Sequence, residues 1–311
     1  MSQPRQLPFI ALVLSLSLAH VTNAAEPPAD VLFEKDVVYG KAGDVELKLD
    51  LSRPKNPSGK QLPCILVIHG GGWKGGDKSG HQDMTWHFAQ KGYVSATVGY
   101  RLAPKHQFPA QVHDVKCAVR YLRAHADKYG IDPRRFGAIG FSAGGHLSMM
   151  LGTTDASAGL EGDGGWPDQP SQVQAVVNFF GPTDLAAEDI PPAVLGILSD
   201  FLGGSKTDKP EEYRKGSPLT HVSPGDAPML HLQGTKDPLV PHTQVYRIID
   251  AMTKHAVPGR AEFILGAGHG WGPPELQRTM AISQAFFDQH LRPKTAQAAG
   301  AGASNGASRG G

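Results

Sequence analysis

Apolar and polar residues alternate across Val45, Leu47, Leu49 and Leu51, the two-residue period of a strand with one face in water. With VLFEKDVVYG before it and Gly43 between, the pattern predicts an antiparallel hairpin at the edge of a sheet. The pattern then changes. LPCILVIHG, GYVSATVGY, RRFGAIGF, VQAVVNFFG, APMLHLQG and AEFILG are short apolar runs closed by Gly or polar residues, as in strands buried on both faces. Between them lie amphipathic stretches. In Ala110 to Tyr129, Val112, Val115, Val119 and Leu122 share one helical face, and Val245 to Met252 and Leu276 to Leu291 read the same way. Buried strands alternating with helices predict one α/β domain, a mostly parallel twisted sheet of about eight strands covered by helices on both faces. Residues 152–172 and 182–226, rich in Gly, Pro, Asp and Ser, fit no element; they are expected to pass over a site on the sheet edge.

The two ends read differently. Arg5, the apolar run FIALVLSLSLA and the small residues TNAA have the form of a signal peptide, with cleavage expected near Ala24 or Ala25. Residues 1–25 are therefore set apart, the predicted location is secreted or periplasmic, and no stable membrane insertion is expected after cleavage. A retained anchor is the rival reading. Residues 294–311, rich in Ala, Gly and Ser, are expected to be a disordered tail, which leaves 26–293 for the domain. With 30 Lys plus Arg against 29 Asp plus Glu, there is no basic field to attract nucleic acid, so the partner expected is a small or neutral molecule. Cys64 and Cys117 lie in apolar surroundings and are expected to be buried thiols rather than a redox or metal site.

Candidate chemistry begins at Gly140-Phe141-Ser142-Ala143-Gly144, between a predicted strand and a helix-compatible run. In G-x-S-x-G the serine sits on a sharp strand-to-helix turn that lifts its hydroxyl off the sheet, and the flanking glycines avoid a collision as strand and helix converge. A serine nucleophile needs a base, and the base needs an orienter. His269, between Gly268 and Gly270, follows the strand AEFILG; Asp237 follows the strand PMLHLQG. Both are thus placed at strand C-termini, where sites assemble in parallel sheets. No histidine pair has metal-ligand spacing on one helical face, and no metal is expected.

The segment HGGGWKGGD admits two readings. Gly70, Gly72 and Gly75 satisfy the dinucleotide-binding pattern G-x-G-x-x-G after a strand. That pattern requires a helix at once and an acid at the end of the next strand. Here the helix waits until about Ser79, and GYVSATVGYRL ends without an acid. The other reading gives the N–H groups of Gly71 and Gly72, with that of Ala143, to an oxyanion. His69 is expected to anchor this loop. No cofactor is called for.

HGGGW at 69–73, GYRLAPKHQFPA at 99–110 and GFSAGG at 140–145, with the order Ser142, Asp237, His269, resemble the α/β-hydrolase superfamily, and more narrowly the hormone-sensitive-lipase-like esterases and their BD-FAE branch. Phe141 stands where the lipase-like esterases usually carry Asp, and their longer N-terminal helical cap has no counterpart before Val31; both favour the BD-FAE branch. The resemblance implies the α/β-hydrolase fold, Ser142 as nucleophile, His269 as base, Asp237 as orienter, and Gly71, Gly72 and Ala143 as oxyanion donors. Tyr100-Arg101-Leu102 is implied to brace the site. It also implies a secreted serine esterase for short-acyl or aryl esters of the acetyl-xylan or feruloyl kind, small or attached to polysaccharide. A peptidase or amidase of the same fold, or a silent hydrolase-fold binding module, are the alternatives. Trp73, Trp166 and Trp271 are candidate substrate-lining residues.

Overall fold

The strand β3, Leu62–Ile68, turns Cys64, Leu66 and Ile68 to one side of the sheet and Ile65 and Val67 to the other, and all five are buried. That is why the run is apolar without alternation: helices cover both faces. The computed structural model describes residues 26–59 and 61–292. The signal peptide and the tail expected from the sequence lie outside the described residues.

Eight strands form one sheet in the order β1-β2-β4-β3-β5-β6-β7-β8. The hairpin of β1 (Val31–Ala42) and β2 (Val45–Pro54) lies at one edge, and β2 runs antiparallel to β4 (Val94–Val98). From β4 onward the sheet is parallel, through β3, β5 (Ile131–Phe141), β6 (Ala175–Phe179), β7 (Met229–Gly234) and β8 (Gly259–Ile264). Phe88 of α1 (Gln82–Gln90) and Phe286, Phe287 and Leu291 of α8 (Glu275–Leu291) pack on one face. The other face carries α2 (Ala110–Ala124), α4 (Ala143–Thr153) and α7 (Thr243–Lys254); the short α3 (Ala126–Tyr129) follows α2. These features make the α/β-hydrolase fold. Among the described residues no helix is long and apolar enough to cross a membrane.

The two irregular segments go to opposite ends of the sheet. Residues 182–226 follow the C-terminal end of β6 and contribute α5 (Leu195–Leu202) and α6 (Pro210–Lys215). Residues 152–153 close α4, which has run back along the sheet by about 16 Å, and 154–172 follow it. This second segment is pinned to α2. Lys116 Nζ donates to Glu161 Oε1 (2.8 Å), Ser171 Oγ (2.9 Å) and the Thr154 carbonyl (2.9 Å), and Arg120 holds Glu161 Oε2 at 2.8 Å. The expectation that 152–172 passes over the site is therefore corrected: a loop entering a parallel strand lies at its N-terminal end.

Candidate active site

At the end of β5 the chain turns through Ser142 with φ 53° and ψ −119°, a conformation that costs a non-glycine residue about 1–3 kcal/mol. Closeness of strand and helix enforces the turn. A Cβ on Gly140 would stand 2.2 Å from the Gly144 carbonyl oxygen, so only glycine fits. The Ser142 amide is tied to the Phe179 carbonyl at 2.8 Å, which fixes the turn against β6.

His269 reaches the same point from the loop after β8. Its Nε2 lies 2.8 Å from Ser142 Oγ and its Nδ1 2.8 Å from Asp237 Oδ2. Asp237 is fully buried at its side chain and is held from three further sides. The amides of Leu239 and Val240 donate to Oδ1 at 2.8 and 2.9 Å, and Gln233 Nε2 donates to Oδ2 at 3.0 Å. Burial alone would raise this carboxyl; the hydrogen bonds from His269, Val240 and Leu239 outweigh it and hold it below the usual carboxylate range. An ionised carboxylate only accepts, so the imidazole proton belongs on Nδ1, leaving Nε2 bare toward the serine.

The glycine loop after β3 forms the third wall. Gly71 has φ 108°, and a Cβ there would meet the Gly75 carbonyl at 2.3 Å. Among the described residues, no acceptor engages the N–H groups of Gly71, Gly72 or Ala143. His69 is spent on the loop itself: its Nδ1 meets the Gly70 carbonyl at 2.8 Å, its ring stacks on Tyr100 at 4.2 Å, and the Tyr100 hydroxyl donates to the His69 carbonyl at 3.0 Å. Arg101 grips Asp114 through Nε and Nη2 (2.9 and 2.7 Å).

Together these walls enclose a cavity of ≈ 270 Å³ that reaches Ser142 and His269. Gly71, Gly72 and Trp73 line one side; Leu185, Ile190, Val194, Ile197 and Leu198 from the 182–226 segment close another. Gln244 is also at the wall, but its amide is consumed by Thr183 and Asp184. The cavity therefore presents apolar groups and few free polar ones.

With this geometry in place, similarity to known proteins bears on the family. Residues 49–252 match the BD-FAE family. The chain belongs to it. The probable carboxylic ester hydrolase LipM of Mycobacterium tuberculosis is 31% identical over 228 residues, 72% of this chain and 52% of LipM, so this chain spans about half the length of that curated relative. A truncated carbohydrate esterase from gut microbiota superposes with a TM-score of 0.73 at 27% identity, covering 85% of this chain and 98% of that one. The esterase Est2 of Thermogutta terrifontis with propionate bound gives a TM-score of 0.71 at 28% identity, covering 86% and 99%.

In this BD-FAE chain two of the three tryptophans singled out from the sequence are elsewhere. Trp166 sits on α2 and β1, its indole N–H on the Tyr39 carbonyl at 2.9 Å, because 152–172 folds at the far end of the sheet. Trp271 is on the right edge, but its indole donates to Thr279 Oγ1 at 3.0 Å and its ring packs on Phe179 and Phe180. It stands behind Phe180, whose ring meets that of His269 at 4.7 Å. Cys64 and Cys117 are free and buried, and burial pushes the Cys117 thiol up to about 11. Gln233 and the aliphatic wall of 182–226 were not singled out from the sequence. Gln233 closes the far side of Asp237 from four positions earlier in β7, a contact that a strand pattern does not advertise.

Proposed function

We propose that this chain is a serine carboxylic ester hydrolase acting on short-acyl esters. The relay from Ser142 through His269 to Asp237, both links at 2.8 Å, carries the reading. His269 Nε2 removes the Ser142 proton while Oγ bonds to the ester carbonyl carbon. Charge gathering on the carbonyl oxygen is met by the N–H groups of Gly71, Gly72 and Ala143, and each such donor is worth roughly 3–4 kcal/mol. As the tetrahedral adduct collapses, the C–O bond to the alcohol breaks and His269 returns the proton to the leaving oxygen. Water then attacks the acyl-serine, giving its proton to the same nitrogen, and the acid departs with Ser142 reprotonated. Asp237 keeps the imidazole in its working tautomer and offsets its charge while protonated.

The apolar cavity suits an alkanoyl group. The aliphatic lining of Leu185, Ile190 and Val194, with Gln244 already engaged, leaves few polar groups to receive a phenol hydroxyl, so short alkanoyl esters, acetyl decorations of polysaccharide among them, are favoured over feruloyl esters. Similarity to a carbohydrate esterase supports the polysaccharide side of this reading, and the character of residues 1–25 supports export. The test is a panel of p-nitrophenyl alkanoates, methyl ferulate and acetylated xylan on one preparation, beside the Ser142→Ala variant. Expected are hydrolysis of the alkanoates and a kcat lower by ~10⁴–10⁶ in the variant. Near-normal turnover by Ser142→Ala, or inertness of the native chain on every ester, overturns the reading.

A further inference from the structure

Trp73 follows the two candidate oxyanion glycines with φ 58°, a left-handed conformation that a bulky residue holds only when its surroundings impose it. Three contacts do so. The Ala103 amide donates to the Trp73 carbonyl at 2.9 Å, the indole stacks on Phe201 of α5 at 4.2 Å, and the indole N–H donates to His146 Nδ1 at 3.2 Å. His146 is fully buried on α4, one turn beyond Ser142, and its amide donates to the Ser142 carbonyl at 3.0 Å. Its Nε2 lies 2.6 Å from the Gly216 carbonyl, after α6. A carbonyl only accepts, so Nε2 carries the proton and Nδ1 is the bare acceptor the indole needs. One imidazole thus ties the nucleophile's helix to the oxyanion loop and to the segment that walls the cavity.

We infer that His146 is a positioning residue for ester hydrolysis, acting through Trp73 to hold Gly71 and Gly72 where their N–H groups meet the oxyanion. The inference rests on the proposed activity. Without the imidazole, Trp73 can relax out of its left-handed backbone, and the glycines before it move with it. Trp73→Phe cuts only the indole link and leaves His146 on the Gly216 carbonyl, so ground-state contacts in the cavity, made by aliphatic side chains of 182–226, stay in place. The loss therefore falls on the chemical step, since a small misplacement of a charge-stabilising group is costly there.

The experiment compares His146→Leu, His146→Gln, Trp73→Phe and the His146→Leu/Trp73→Phe double variant with p-nitrophenyl butyrate, reading kcat and KM, the rate of Ser142 labelling by a fluorophosphonate, and the melting temperature. His146→Leu and Trp73→Phe are each expected to lower kcat and the labelling rate by about tenfold or more, Trp73→Phe with KM within about twofold, and the double variant to be no worse than the poorer single, since both cut the link between Trp73 and His146. Gln, whose amide can accept on one side and donate on the other, is expected to restore most of kcat. If His146→Leu does not fold, the Gln and Trp73→Phe proteins decide. Folded variants with native kcat and labelling, losses that add in full, or a Gln protein as poor as Leu overturn the inference. A native chain that neither labels nor hydrolyses would instead overturn the proposed activity.

Discussion

Gly144 of α4 packs onto the main chain of β3 so tightly that a Cβ there would stand 2.0 Å from the Ile68 carbonyl oxygen. Backbone cannot yield as a side-chain tip can. Gly144→Ala is therefore expected to destabilise the protein by ~3 kcal/mol or more and to disturb the Ser142 turn beside it. Gly196, in α5 with open space around its Cα and an ordinary φ, is the counterpart: Gly196→Ala is expected to stabilise by ~0.5–1 kcal/mol. Urea unfolding of both variants checks the pair, and equal midpoints would refute it.

Gln233 gives Asp237 a hydrogen bond that does not pass through His269. Gln233→Leu is expected to lower kcat for p-nitrophenyl butyrate by roughly tenfold, through looser orientation of the carboxylate. Asp237→Asn, which loses the charge and disturbs the imidazole tautomer, is expected to lose ~10⁴. A Gln233 variant as impaired as Asp237→Asn would contradict this ranking.

Ile197 stands over the glycine loop, its Cγ2 only 2.9 Å from where a Cβ on Gly72 would be, and it lines the cavity. Ile197→Ala is expected to move the preferred p-nitrophenyl ester to longer chains, and Ile197→Phe to shift it toward acetate. The check is kcat/KM across the chain-length series; an unchanged optimum in both variants would remove Ile197 from the acyl wall.

Burial pushes the imidazoles of His146 and His231 down to about 4; in His146 it outweighs the bond to the Gly216 carbonyl, which acts the other way, while neighbouring His221 adds to the depression. The unfolded chain takes up these protons near pH 6.5, whereas the native state refuses them until about 4. Stability is thus fully present above pH 6.5 and lost as pH falls through that window, by up to roughly 3 kcal/mol for each histidine. Asp237, held below the usual carboxylate range, adds a further loss below about pH 4. Urea midpoints at pH 7 and pH 5 test this: the lower one is expected at pH 5, and equal values would contradict it.

Trp166 and Trp73 make a control pair. Trp166 is 37% exposed and remote from the cavity, so Trp166→Phe is expected to leave kcat/KM for p-nitrophenyl butyrate within about twofold of native. A larger loss would place residues 152–172 back at the site.

The strands and the three side chains of the relay could be read because each carries a local signature: a buried run, a glycine-pinched serine, an acid or imidazole just past a strand. Lining residues carry none. Trp166 and Trp73 are alike as sequence, each beside glycines, and what separates them is whether their loop leaves a parallel strand or enters one. That signal was present, since 182–226 follows a predicted strand and 152–172 precedes the same one. Trp271 lies after β8 as expected, yet turns to Thr279, a choice made by packing against α8. The contacts of His146 are equally invisible in the sequence, because its two partners are 73 and 70 residues away.

The cavity draws most of its aliphatic wall from the single excursion between β6 and β7, whereas Ser142, Asp237 and His269 stand on turns fixed by the sheet. In the proposed ester hydrolysis, reactivity and selectivity are consequently inherited through separate stretches of chain. A graft of a different 182–226 segment could redirect which ester is accepted while the bond-breaking apparatus passes on unaltered, provided the newcomer still offers a carbonyl where Gly216 now meets His146.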